Sequence, residues 1–167
     1  MQQQELLMHN HAAEALCISV VMMYKGCCMD LEEVKIDNAW IASEGCFHIL
    51  RFLSLLSSHN LRDMSWVTFA QHLEELSIWQ CLGLEEIISW EKHNEVAVLK
   101  ENSNFFSKLK ILDQHYLPKM KTIYGDALPF QQLKEIINEK WPMLKKLPLK
   151  FNSAKGRKIV IKLEEKW

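Results

Sequence analysis

The sequence predicts an α/β solenoid, a coil of short parallel strands stacked turn on turn, and three observations point to it. One six-position apolar template recurs in four separate segments. Each copy contains a strand-like opening and then turn-forming residues where a helix would have to continue. The chain is also globular in composition, with 49% hydrophobic and 25% charged residues, and has only five glycines and four prolines. That balance argues against disorder, a loop-rich sandwich or a glycine-rich nucleotide binder.

The template is clearest in "LEELSIWQCLGLEEI", residues 73–87. Counted from Leu73, the apolar offsets are 0, 3, 5, 8, 11 and 14. A helical stripe repeats every ~3.6 residues and a half-buried strand every ~2, so neither fits throughout. The opening L-x-x-L-x-I does fit a short strand whose offsets 3 and 5 enter a core. The same offsets select Leu50, Leu53, Leu55, Ser58, Leu61 and Met64; then Leu109, Leu112, Gln114, Leu117, Met120 and Ile123; then Leu133, Ile136, Asn138, Trp141, Leu144 and Leu147. Across 24 positions only Ser58, Gln114 and Asn138 are polar.

A fifth copy begins at Leu31 (Leu31, Val34, Ile36, Ala39), and a degenerate sixth aligns from Ala13 (Leu16, Ile18, Val21). Starts at 31, 50, 73, 109 and 133 are separated by 19, 23, 36 and 24 residues. Leucine-rich repeats run to roughly 20–29 residues, and one turn cannot bury its apolar face alone, so neighbours must stack. The expected fold is therefore an α/β leucine-rich-repeat right-handed solenoid. Short parallel strands form its concave face, an irregular or short-helical return forms its convex side, and about five to six repeats precede a C-terminal capping strand. The breakers "SSHN", "YLPK" and "KWPM" disfavour a helical bundle.

The expected organisation is an N-terminal segment over 1–30 containing the degenerate first repeat, repeats over 31–149, and a cap over 150–167. The 36-residue spacing implies an insertion loop near 89–105, a second candidate for a functional segment. In the cap, Ile159, Ile161 and Leu163 alternate with charged or exposed residues, as in an edge strand. Gln114 and Asn138 share offset 5 in successive repeats, so their amides are expected to hydrogen-bond to each other.

A formal charge of −1 gives no global attraction to nucleic acid or membrane. The basic run Lys145, Lys146, Lys150, Lys155, Arg157, Lys158 and Lys162 is interrupted by core positions and lacks aromatic interleaving, so no nucleic-acid partner is expected. Five cysteines (Cys17, Cys27, Cys28, Cys46 and Cys81) show no C-x-x-C spacing and suit a reduced, cytoplasmic compartment. The N-terminus lacks a basic signal-peptide start, and the run "AAEALCISVVMMY" is too short for a membrane span.

His9 and His11 have no third ligand placed with them, and no nucleophile motif is present, so no metal, catalytic or cofactor-binding residue is assigned. The expectation is a protein without enzymatic activity.

The segments "LEELSIWQCLGLEEII", "FSKLKIL…LPKMKTIYGDALPF" and "PMLKKLPL…NSAKGRKIVI…W" resemble the C-terminal leucine-rich-repeat domain of plant nucleotide-binding leucine-rich-repeat (NLR) disease-resistance proteins of the coiled-coil class. The resemblance runs from about Leu31 to Trp167 and is densest over residues 73–163. It implies an innate-immunity sensor that recognises a pathogen effector, a guarded host protein or its own receptor's nucleotide-binding domain. ADP or ATP belongs to that other domain. This chain has no G-x-x-x-x-G-K-[S/T], so no cofactor is expected in it. Departures from the family pattern are Gln114 and Asn138 at inward positions, Trp141 in place of a Cys before Pro142, and Gln131 in place of a Pro after Phe130.

In such a solenoid the outward strand residues, offsets 2, 4 and 6, build the concave face. They are Glu33, Lys35 and Asp37; Phe52, Ser54 and Leu56; Glu75, Ser77 and Trp79; Ile111, Asp113 and His115; Glu135, Ile137 and Glu139. Aromatic and aliphatic anchors among carboxylates suit a protein partner of basic character. A substrate adaptor of a ubiquitin ligase would use the same face but needs a helical F-box-like segment that residues 1–30 do not resemble. A remnant without independent function is the third reading.

Overall fold

The computed structural model describes residues 4–8, 31–36, 50–89, 105–123, 130–139, 149 and 158–164. Their strands are β1 (Gln4–Met8), β2 (Leu31–Ile36), β3 (Phe52–Leu56), β4 (Glu75–Trp79), β5 (Ile111–His115), β6 (Glu135–Glu139) and β7 (Val160–Glu164). β3 to β7 form one five-stranded parallel sheet in chain order, and β1 pairs in parallel with β2. Successive strands that are neighbours and all parallel require each connection to return to the same end, which is a coil. The helix among the described residues is a five-residue 3₁₀ turn, Ser65–Phe69. The chain is a leucine-rich-repeat solenoid.

The register repeats the template without a slip. Offset 3 aligns Leu53, Leu76, Leu112, Ile136 and Ile161, and offset 5 aligns Leu55, Ile78, Gln114, Asn138 and Leu163. β4 and β5 pair as regularly as β3 and β4 despite their longer connection. The inserted residues 90–104 lie outside the described residues. Every described template position of the copies starting at Leu50, Leu73, Leu109 and Leu133 is buried, including polar Ser58, Gln114 and Asn138. Trp141, Leu144 and Leu147 lie outside the described residues.

Three features of the coil were not anticipated. Ser57, Gln80 and Tyr116, all at offset 7, take left-handed φ of 59°, 55° and 52°. At each strand exit this turn aims the backbone N–H at the next strand's last carbonyl: Ser57 to Trp79 (2.9 Å), Gln80 to His115 (2.9 Å) and Tyr116 to Glu139 (3.0 Å). A left-handed non-glycine residue costs about 1–2 kcal/mol, which that hydrogen bond helps offset.

Second, Phe106 and Phe130 occupy offset −3 and stack with centroids 6.1 Å apart, with Phe105 edge-on to Phe106. Third, Gly83 passes so close to the preceding turn that a Cβ there would lie 2.3 Å from the His59 carbonyl oxygen.

Some expectations need correction. Gln114 and Asn138 are register neighbours and both buried, yet their amides do not pair. Gln114 Nε2 and Oε1 and Asn138 Oδ1 have no hydrogen-bond partner. Equal side chains stack in step along a sheet; the extra methylene of Gln114 sets its amide beyond that of Asn138.

At the C-terminal edge, β7 is the expected edge strand. Ile161 and Leu163 stand at inward register positions but are 42% and 67% exposed. The strand paired with β2 is Gln4–Met8, upstream of the Ala13 start, whose residues lie outside the described residues. β2 itself spans offsets 0 to 5 of its copy, not 2 to 6.

Candidate functional site: the concave sheet face

Alternation along a strand puts offsets 2, 4 and 6 on the face opposite the core. Phe52 and Ser54 are exposed and Leu56 half-buried on β3; Glu75 and Ser77 are half-buried on β4, with Trp79 39% exposed. Ile111, Asp113, His115, Glu135, Ile137 and Glu139 are half-buried on β5 and β6. The sheet therefore brings these residues together. Glu33 and Lys35 lie on β2, which pairs with β1 and not with β3 among the described residues, and Asp37 is outside them.

The centre of the face is an ordered polar–aromatic cluster. Offset 6 sets Leu56, Trp79, His115 and Glu139 side by side. Trp79 stacks on His115 with centroids 3.9 Å apart and planes inclined by 21°. His115 Nδ1 meets Glu139 Oε2 at 2.8 Å and Nε2 meets Asp113 Oδ1 at 2.6 Å. Ser77 Oγ donates to Asp113 Oδ2 at 3.4 Å. The indole is thus held flat by a ring that is itself clamped from two strands.

A neutral imidazole supplies one N–H; both contacts are hydrogen bonds only with the protonated ring. The carboxylates grip opposite nitrogens and do not converge on one point. Among the described residues no group of His, Cys, Asp or Glu is arranged to hold a metal ion.

β7 extends the face beyond the residues predicted. Val160 and Lys162 continue the rows of offsets 2 and 4, and Lys162 forms an ion pair with Glu135. The same template started at Lys158 would have found them; its polar first position hid the copy. Tyr116, 48% exposed at offset 7, flanks the cluster and was also missed. The basic run divides: Lys158 is exposed, Lys162 is on the concave face, and the other five residues lie outside the described residues, as do His9 and His11.

Charge ladders run along two other rows of the coil. Offset 1 aligns Arg51, Glu74 and Lys110, with Glu74 contacting Arg51 at 3.2 Å and Lys110 at 2.5 Å. The Lys110 hydrogen bond, with the charges of Lys110 and Arg51, holds the Glu74 carboxyl below its ordinary 4.5. At offset 12, Lys121 contacts Glu85 at 2.5 Å, lowering the Glu85 pKa and raising that of Lys121 through their shared hydrogen bond. No helix among the described residues is long and apolar enough to cross a membrane.

Comparison with known proteins bears on this geometry. The family described as plant disease resistance protein RPS2-like, leucine-rich repeats, matches residues 2–156. The probable disease resistance protein At1g12290 of Arabidopsis thaliana is 33% identical over 85% of this chain, and At4g14610, from the same plant and of the same description, is 35% identical over 82%. The disease resistance protein UNI of Arabidopsis thaliana is 34% identical over 65% of the chain. The matches span only 16%, 19% and 12% of those relatives. No solved structure matches the chain.

Proposed function

The chain belongs to the plant disease resistance leucine-rich-repeat family, and from that premise we propose that it is the protein-recognition module of a cytoplasmic innate immune receptor of the NLR type. Its concave face would contact a pathogen effector, a guarded host protein or the receptor's own nucleotide-binding domain. In this reading ADP or ATP is bound outside this chain, and this chain supplies recognition and restraint but no catalysis.

One observation carries the proposal: the Trp79–His115 stack, held by Asp113 and Glu139, at the middle of an open sheet face. A large aromatic fixed in one orientation loses little conformational freedom when a partner covers it, which is the property of an interface anchor. Its polar clamp, built from two strands, has no role in the core.

Affinity capture from plant extract tests the reading, with the native chain compared against Trp79→Ala and Glu75→Arg. The expected result is a partner retained by the native chain and lost in both variants. Recovery of one identical set of proteins by all three baits would overturn it.

A further inference from the structure

Along offset 2 the sheet reads Phe52, Glu75, Ile111, Glu135 and Val160 in register, so apolar and acidic side chains alternate across five strands. The two acids differ in what meets them. Glu135 receives the ammonium of Lys162, which reaches across from offset 4 of the next strand. The equivalent position beside Glu75 is Asp113, another carboxylate, already engaged by His115 and Ser77. Glu75 is half-buried, with no ion pair or side-chain hydrogen bond among the described residues. Its register neighbours are Phe52, 53% exposed, and half-buried Ile111.

We propose, resting on the concave-face reading above, that Glu75 is the docking point for a cationic side chain of the partner protein, an arginine lying with its stem along Phe52 and Ile111. The chain satisfies one acidic position of the stripe with its own lysine and leaves the other for a cation from outside. Arginine fits both requirements. Its planar guanidinium meets a carboxylate in a two-pronged contact, and its apolar stem covers hydrophobic surface. The neighbouring Asp113 adds negative potential at close range, which excludes a phosphate-bearing partner from the same spot.

The test is a binding titration of the 167-residue chain with a synthetic peptide of alternating arginine and leucine. The control is the same peptide with citrulline, which keeps the shape and loses the charge. The arginine peptide should bind about tenfold more tightly, and Glu75→Gln should remove about the same factor. Glu74→Gln, one residue away but already paired with Arg51 and Lys110, should leave the affinity within about twofold.

Equal affinity for the two peptides, an unchanged Glu75→Gln, or no binding at millimolar peptide each overturns the assignment. Ser77→Arg separates the two levels of the argument, once circular dichroism shows the variant folded. Binding that survives it removes the concave-face reading as well. Binding lost there but kept in Glu75→Gln removes only the cation site.

Discussion

Trp79 and His115 lie face to face at 3.9 Å on adjacent strands, and the His115 ring is pinned by carboxylates that come from its own strand and from the next. Three strands thereby fix one exposed indole. The consequence is an asymmetry between the two partners. Trp79→Ala should cost about 1 kcal/mol of stability, the scale of an aromatic pair on a half-open surface. His115→Ala should cost more, about 1–3 kcal/mol, because it removes the contacts of His115 with Asp113 and Glu139 as well as the stack. Urea unfolding of both variants checks the order; equal losses would mean that the clamp contributes nothing.

Gln114 sits fully buried with neither amide atom paired. Gln114→Leu should therefore stabilise the chain by about 1–3 kcal/mol, seen as a higher urea midpoint. Gln114→Leu with Asn138→Leu should not lose what the single variant gains. A midpoint lowered by either change would show that the amides have partners in solution, such as bridging water.

Gly83→Ala should destabilise, since the added methyl would stand 2.3 Å from the His59 carbonyl oxygen, and backbone cannot rotate away as a flexible side chain would. Moving one turn off the other costs about 1–3 kcal/mol, the range for overpacking. Thermal melting measures it, and a melting temperature unchanged from the native chain would mean that the turns are less tightly stacked.

The ladders predict how stability depends on pH. Glu74 and Glu85 have folded pKa values below their unfolded ones. Their contribution is fully present above the ordinary 4.5 and is lost as pH falls through the lowered folded values. Lys121 runs the other way: its raised folded pKa contributes stability below the ordinary 10.5 that is lost as pH rises through the folded value. Glu74→Gln with Glu85→Gln should flatten the acid limb of a stability–pH curve and lower the plateau by the same amount, leaving the acid end unchanged. An acid limb as steep as that of the native chain would locate the acid sensitivity elsewhere.

The register of β3 to β6 was legible in the sequence because a strand's two faces impose a period of two, and a stack of strands forces each copy to bury the same offsets. Leu53, Leu76, Leu112 and Ile136 could be aligned by counting alone. β7 was legible as a capping edge strand from the alternation of Ile159, Ile161 and Leu163, but not as a further copy of the template, because that copy opens on polar Lys158. The phenylalanines at offset −3 were present as F-x-x-L but lay outside the counted window.

For the site, the sequence determined membership of the face: alternation alone placed Phe52, Glu75, Trp79, Asp113, His115 and Glu139 there together. It could not determine what they do to one another. Residues 79, 115 and 139 meet only because the parallel register brings them alongside, and whether two side chains bond or miss is set at the scale of an ångström. His115 reaches both carboxylates, Glu75 is left without a cation, and Gln114 passes Asn138 without bonding. Periodicity is a property of the chain and survives in the sequence. Contact geometry is a property of the stack, and only tertiary structure decides it.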